Sequence, residues 1–272
     1  LMDAAARRTG IDPVELRRRN MLRPEQMPWR NPMAKTYDSG QFAKVMDGAL
    51  ALADWQGFEA RAARSRERGL LRGRGIATFL EWTGADVFTE RVTVTVGRGE
   101  DGQDGIEMFS ATQAMGQGLA TTYAQLAVDV FGVPIERIRI VQGDTDRGTG
   151  FGSAGSRSLF VGGSAIHVAA NETVDEARKL ASAELEASVG DIEYRQGELR
   201  IAGTDRGIGL FDLARKQPGG RIVVDSRSSV DDATWPNGCH VCEVEIDPDT
   251  GTVTVDRYSS VNDVGRVVNP MI

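Results

Sequence analysis

The chain predicts an α+β fold, with mixed sheets and two packed long helices preceded by a helical lead-in. Three observations carry that expectation. Residues 1–70 are polar and punctuated like helices; from about residue 71 apolar side chains alternate with polar ones; and two long stretches of helical spacing interrupt the alternation, each directly after a glycine-rich turn. The expected organisation is a lead-in or connector over residues 1–70 and one α+β domain over residues 71–272.

In the lead-in, Asp12-Pro13 reads as a helix start, a cap residue followed by proline at the first helical position, with the helix running through Val14 to Met21. Pro24, Pro28 and Pro32 then impose an irregular crossing. Ser39 is the expected cap of a helix through Leu52, and the arginine-rich stretch 59–68 reads as a solvated helix face. Beyond it, Val92, Val94 and Val96 alternate with polar residues, as do Ile138 with Ile140 and Val253 with Val255. Asp247-Pro248-Asp249-Thr250-Gly251 is a hairpin turn by composition. Leu119, Tyr123, Leu126, Val130 and Phe131 recur at helical spacing until Gly132-Val133-Pro134 stops them. A longer helix is expected from about Ser158 to Ser188, with Ile166, Ala170, Val174, Ala177, Ala181 and Leu185 on one face.

Composition removes several classes of function. The formal charge is −7 and basic runs with interleaved aromatics are absent, which disfavours a nucleic-acid binder. Apolar runs fall short of the roughly 18 residues that a membrane span needs, and no signal peptide is visible. Cys239 and Cys242 are the only cysteines, so a disulfide framework is excluded, and a reducing, cytoplasmic setting is expected. His167 and His240 are the only histidines, too few for a metal centre built wholly from protein ligands. The chain opens at Leu1-Met2-Asp3 and closes at Pro270-Met271-Ile272 in mid-pattern, so it is expected to be part of a longer polypeptide.

The chemistry concentrates in two loops. Ala114-Met115-Gly116-Gln117-Gly118 and Gly150-Phe151-Gly152-Ser153-Ala154-Gly155-Ser156-Arg157-Ser158 each lead into a helix. A glycine turn at a helix start aims backbone N–H groups and the positive dipole end at one point, which suits an anion. The second loop adds hydroxyls and the Arg157 guanidinium, a fork matched to phosphate oxygens. Gln117 offers an amide that both donates and accepts. Two such points in one domain predict a large polyanionic ligand of cofactor size. The plainer alternatives are a strand-to-helix turn at 115–118 and a flexible linker at 150–158.

Other clusters read as structural. Asp144-Thr145-Asp146 lacks the third spaced ligand of a calcium loop and reads as a turn. Cys239-His240-Val241-Cys242 supplies three zinc ligand types at adjacent strand positions, without a fourth. Alternation there sets Cys242, Val244 and Ile246 on one strand face, expected to be the buried one.

Met115-Gly116-Gln117-Gly118, Gln125, Gly132-Val133-Pro134, Gly143-Asp144-Thr145-Asp146 and Gly155-Ser156-Arg157-Ser158 follow one another in an order and spacing that resemble a known family. It is the molybdenum-binding large subunit of the xanthine dehydrogenase and aldehyde oxidase family, and within it the bacterial carbon-monoxide-dehydrogenase-type subunits are most similar. Arg17-Arg18-Arg19-Asn20, Tyr37-Asp38-Ser39-Gly40, Pro236-Asn237-Gly238-Cys239-His240 leading into Glu243-Val244-Glu245, Asp263-Val264-Gly265 and Asn269-Pro270 extend the resemblance along the chain.

The resemblance implies most of the second of two molybdopterin-binding domains, in a molybdenum hydroxylase that places water-derived oxygen on an aldehyde, an N-heterocycle or a CO-like substrate. It implies that Met115, Gly116, Gln117 and Gly118 contact molybdopterin near the metal, and that Gly155, Ser156, Arg157 and Ser158 hold the pyranopterin or phosphates. No residue of the chain ligates the metal directly on this basis. The cofactor form expected is molybdopterin cytosine dinucleotide, with FAD and [2Fe-2S] clusters on partner subunits or domains. No catalytic residue is assigned within the chain, because the family's glutamate base is expected beyond Ile272. An aromatic against the substrate falls near Thr78-Phe79-Leu80, where Phe79 is the candidate, although the alignment there departs from the family pattern. The rival reading is a non-catalytic binding or scaffold module of the same fold. An ordinary nucleotide-binding enzyme is disfavoured, since neither a Walker A lysine nor a strand–GxGxxG–helix unit is present.

Overall fold

A computed structural model describes residues 1–84 and 89–271. Helices α1 (Met2–Thr9) and α2 (Pro13–Arg19) come first. Asp12 caps α2 through Oδ1, which accepts from the amides of Val14 at 2.9 Å and Glu15 at 3.0 Å. Strands β1 (Trp29–Arg30) and β2 (Thr36–Tyr37) form a short ladder in the proline-rich crossing. Helices α3 (Phe42–Leu52) and α4 (Phe58–Glu67) and strand β3 (Leu71–Leu80) follow. Then come β4 (Glu90–Arg98), β5 (Asp104–Ser110), α5 (Leu119–Phe131), β6 (Ile138–Val141), α6 (Gly163–Leu185), β7 (Ile192–Arg195), β8 (Glu198–Ile201) and β9 (Gly207–Gly209). Helix α7 (Leu210–Lys216) and strands β10 (Arg221–Ser228), β11 (Asn237–Ile246) and β12 (Val253–Asp263) complete the order. The α+β class expected from the sequence holds.

Two compact units divide the chain: residues 1–82 with 234–266, and residues 83–233 with 267–272. In the first, β11 is the centre of an antiparallel sheet of order β12-β11-β3. The β11–β12 hairpin turns at Asp247, whose Oδ1 accepts from the Asp249 amide at 2.9 Å, while Gly251 takes the left-handed conformation with φ 73°. One sheet face buries Ile76, Cys239 and Val241 against Val45, Met46 and Ala49 of α3.

Three local expectations are corrected in this unit. Helix α3 begins after Gln41 with no side-chain cap, so Ser39 does not cap it; its hydroxyl lies 3.4 Å from Asp38 Oδ2. Helix α4 is not a wholly solvated face, because Arg61 is buried. On β11 the buried face carries Cys239, Val241 and Glu243, while Cys242, Val244 and Ile246 are only half-buried. Alternation separates the two sets but does not say which set meets the core. The buried face carries the apolar packing of Cys239 and Val241 on α3 and, beyond it, an ionic contact. Glu243 Oε1 accepts from Arg61 Nη2 at 2.5 Å and Oε2 accepts from Arg72 Nη1 at 2.7 Å. Arg72 Nη1 also reaches Asp256 at 2.7 Å and Nη2 reaches Glu245 at 3.0 Å.

In the second unit the sheet order is β10-β4-β5-β6. All neighbours are antiparallel except β5 and β6, which are parallel, as they must be when α5 carries the chain back between them. Val92, Val94 and Val96 on β4 and Ile106 and Met108 on β5 are buried, together with Tyr123, Ala127 and Phe131 of α5 and Ala165, Ile166, Ala169, Ala170 and Ala177 of α6. The alanine stripe lets α6 lie close to the sheet. A small antiparallel sheet, β7-β8-β9, and α7 complete the unit. Among the described residues, no helix is long and apolar enough to cross a membrane.

Candidate functional site

The parallel pair decides where the two glycine loops fall. The loop over 111–118 leaves the C-terminal end of β5, and the loop over 142–157 leaves the C-terminal end of β6. Parallel neighbours put their carboxyl ends on the same side, and that side is where open α/β sheets bind ligands. Side chains then join the loops. Ser153 Oγ accepts from the Gln113 amide at 2.8 Å and lies 2.9 Å from the Gln113 carbonyl, to which it donates. Gln142 Nε2 donates to the Thr112 carbonyl at 2.7 Å. Position 150 must be glycine, since a Cβ there would stand 2.4 Å from Ala111 Cβ. The sheet thus brings Met115–Gly118 and Gly155–Ser158 into neighbouring loops.

Within the first loop, Gly116 has φ 95° and Gly118 has φ 73°. A Cβ on Gly116 would meet nothing within 4 Å, so the loop leaves space in front of that backbone. Met115 is 68% exposed. The Gln117 amide folds back on its own loop: Oε1 accepts from the Met115 N–H at 2.6 Å and Nε2 donates to the Gln113 carbonyl at 3.1 Å. Helix α5 then starts with no side-chain cap, which leaves its first amides to other partners.

In the second loop, Gly155 has φ 57° and Ser156 has φ 53°. A serine in the left-handed region is strained by an amount that surrounding structure must hold, and such residues cluster at ligand clamps. Ser158 opens a π-helical turn, Ser158–Gly162, that runs into α6, again with no side-chain cap.

Arg157 is placed differently from the anion-holding fork that its sequence context suggests. It is 2% exposed and pairs with Glu90 at the start of β4, itself 2% exposed. Its Nη1 donates to the Gly152 carbonyl at 3.0 Å, and its guanidinium lies 5.2 Å from the Phe151 ring centroid. The guanidinium faces inward and pins the loop. Only a pairing between residues 67 positions apart in the chain could have announced it.

The remaining candidates lie in the first unit. Phe79 is 42% exposed, with its ring 5.6 Å from that of His240. His240 Nδ1 is 2.8 Å from Tyr258 Oη, and its Nε2 is 3.3 Å from Asn262 Oδ1 and Ser260 Oγ. Cys239 faces the opposite side of β11 and is buried, and burial pushes its thiol pKa up. Among the described residues no group of three or more His, Cys, Asp or Glu side chains converges as a metal-ligand set. Elemental analysis of the purified chain is expected to find no stoichiometric zinc; zinc lost on Cys242→Ser would overturn the structural reading of these cysteines.

Two uncapped helix starts behind glycine turns, at one end of a βαβ unit, belong to the class of arrangement suited to an anionic group. Comparison with known proteins gives that class its family. The sequence model of the molybdopterin cofactor-binding domain matches residues 48–272, and the chain belongs to that family. It is 32% identical to the nicotine 6-hydroxylase large subunit of Paenarthrobacter nicotinovorans, over 100% of this chain and 35% of that protein. It is 30% identical to the carbon monoxide dehydrogenase large chain of Hydrogenophaga pseudoflava, over 100% of this chain and 36% of that protein. The quinoline 2-oxidoreductase structure from Pseudomonas putida 86 superposes with a TM-score of 0.80 at 30% identity, over 100% of this chain and 37% of that one. The chain spans about a third of the length of the curated relatives it matches.

Proposed function

We propose that the chain forms part of the molybdopterin cradle of a molybdenum hydroxylase large subunit, with the cofactor held across the paired loops 113–118 and 152–158. The observation that supports it most directly is the parallel β5–β6 pair, which sets two uncapped helix starts side by side at one end of a sheet. When bound, the molybdenum carried by molybdopterin would supply a two-electron acceptor for placing water-derived oxygen on a substrate carbon. The chain's own residues bind and orient. Backbone N–H groups after Gly118 and around Ser158 suit phosphate and pterin oxygens. The Gln117 carboxamide, braced at Oε1 and Nε2, retains one N–H and one lone pair for a heteroaromatic edge. Met115 presents an apolar, adaptable surface beside it. Arg157 acts by anchoring the second loop internally.

The parent enzyme is proposed to use the cytosine dinucleotide form of the cofactor, to pass electrons to [2Fe-2S] and FAD centres on partner subunits or domains, and to take its base from a glutamate beyond residue 272. Its substrate class is an aldehyde, N-heterocycle or CO-like molecule, and its setting is cytoplasmic.

The test is the molybdenum and pterin content of the assembled enzyme, with mass spectrometry of the released cofactor. Near-stoichiometric content is expected in the wild type and a reduced content in Gly116→Val, whose side chain enters the open space before the loop. The strain of a branched residue at that φ is on the order of 1–3 kcal/mol, so melting is recorded alongside. Equal occupancy per folded protein in both would remove the first loop from the site.

A further inference from the structure

Tyr123 has no exposed surface and lies in the second turn of α5, between the two glycine loops. Its phenol donates to the Ser158 carbonyl at 2.5 Å, at the end of the second loop. The same oxygen lies 3.0 Å from Thr112 Oγ1, at the start of the first loop. Thr112 Oγ1 is in turn 2.8 Å from Ser110 Oγ, the last residue of β5, and 3.3 Å from Gln142 Nε2, just past β6. A hydrogen-bonded chain therefore runs from the ends of both parallel strands, from the Ser110 hydroxyl and the Gln142 carboxamide, through the Thr112 and Tyr123 hydroxyls to the Ser158 carbonyl at the helix start. Buried relays of this kind polarise one another and fix a single geometry.

The opposite wall is built to admit the phenol. A Cβ on Gly162 would lie 2.1 Å from Tyr123 Oη and 2.9 Å from Thr112 Cγ2. Glycine at 162, one turn beyond Ser158, lowers helix propensity and is retained where the aromatic oxygen needs the room. Burial also pushes the Tyr123 pKa upward, so the phenol stays protonated as a donor throughout the physiological range.

From this geometry we propose that Tyr123 is a positioning residue for the cofactor cradle, setting the spacing between the two glycine loops through Thr112 and Ser158. The inference rests on the proposed function for its cofactor consequence, while the coupling of the loops stands on the hydrogen bonds alone. Tyr123→Phe keeps the ring and removes both bonds.

The experiment has two arms. In the full chain without cofactor, hydrogen exchange of Tyr123→Phe is expected to rise in residues 113–118 and 150–158 together, with the β7–β8 hairpin unchanged. In the assembled enzyme, release of molybdopterin is expected to accelerate on the order of 10-fold, the low end of what outer-shell partners of metal-binding groups contribute to affinity. Gly162→Ala should give the same paired signature. In the double variant the two effects should fall short of their sum, because the oxygen that the new Cβ strikes has gone. Lower melting with exchange in both loops unchanged would show that the phenol only fills the core, and would overturn the proposal; so would additive effects of the two substitutions. An assembled wild-type enzyme without molybdopterin would sink the proposed function, and the exchange arm would still decide the coupling.

Discussion

Arg157→Ala is expected to destabilise the second unit by about 3–5 kcal/mol, the penalty for removing one partner of a buried ion pair and leaving the other charge behind. The charge left is Glu90, 2% exposed at the first position of β4. The loss also frees the Gly152 carbonyl and uncouples the 150–158 loop from the sheet. Denaturant unfolding of the chain at neutral pH measures it. Replacing both partners by apolar residues of similar size, Arg157→Met with Glu90→Leu, is expected to recover much of the stability, since a satisfied apolar pair has no uncompensated charge. A change within about 0.5 kcal/mol for Arg157→Ala, the range of an ordinary surface substitution, would place the guanidinium in solvent and return it to the ligand.

The second large effect belongs to the first unit. Glu243 sits 2% exposed between the guanidiniums of Arg61 and Arg72. Glu243→Ala removes the carboxylate shared by two buried guanidiniums; Arg61 keeps Asp54 and Arg72 keeps Asp256 and Glu245, so a loss of about 3 kcal/mol, the low end for a broken buried pair, is expected. The pH dependence has a defined sign. Burial by itself raises the Glu243 pKa, but hydrogen bonds and charge from Arg61 and Arg72 outweigh it and hold the carboxyl below its ordinary value. Asp256 is depressed in the same way, chiefly by its hydrogen bond from Arg72. A depressed folded pKa gives stability that is complete above the unfolded value, about 4.3 for glutamate, and is lost as pH falls through the folded one. Melting temperature should therefore drop steeply below about pH 4 in the wild type and less steeply in Glu243→Gln, which has no carboxyl to protonate. Parallel curves would show that the carboxylate does not hold its pair in solution.

These two residues also mark how far the sequence could be read. Local signals were legible: the Asp12 cap, the alternation of Val92, Val94 and Val96, the Gly132 stop, the Asp247 turn and the glycine loops before α5 and α6 all depend on neighbours in the chain. What was not legible depends on partners far away. Arg61 and Arg157 stand in polar stretches and read as solvated or ligand-facing, yet each is buried because a carboxylate arrives from a distant strand. The buried face of β11 is hidden from the sequence for the same reason: period two offers both faces, and distant partners, α3 against Cys239 and Val241 and the guanidiniums around Glu243, choose the one opposite Cys242, Val244 and Ile246. For the candidate site, the loops and their helix starts could be named from glycine spacing. Their union could not, because it rests on β5 and β6 being parallel and on single contacts such as Ser153 with Gln113.

The first unit is assembled from two stretches of chain, residues 1–82 and 234–266. Strand β11 pairs on one edge with β3, and the residues between them form the whole of the second unit apart from its final segment. During synthesis, at about 5–20 residues per second, residues 83–233 emerge before β11 does. The second unit thus has its strands and helices available while α3 and β3 still wait, with Val45, Met46 and Ile76 uncovered, for the centre of their sheet. The exposed interval falls on the lead-in, and substitutions that slow the arrival or pairing of β11 should show up as losses to aggregation during expression, before they show up in the melting of the finished protein.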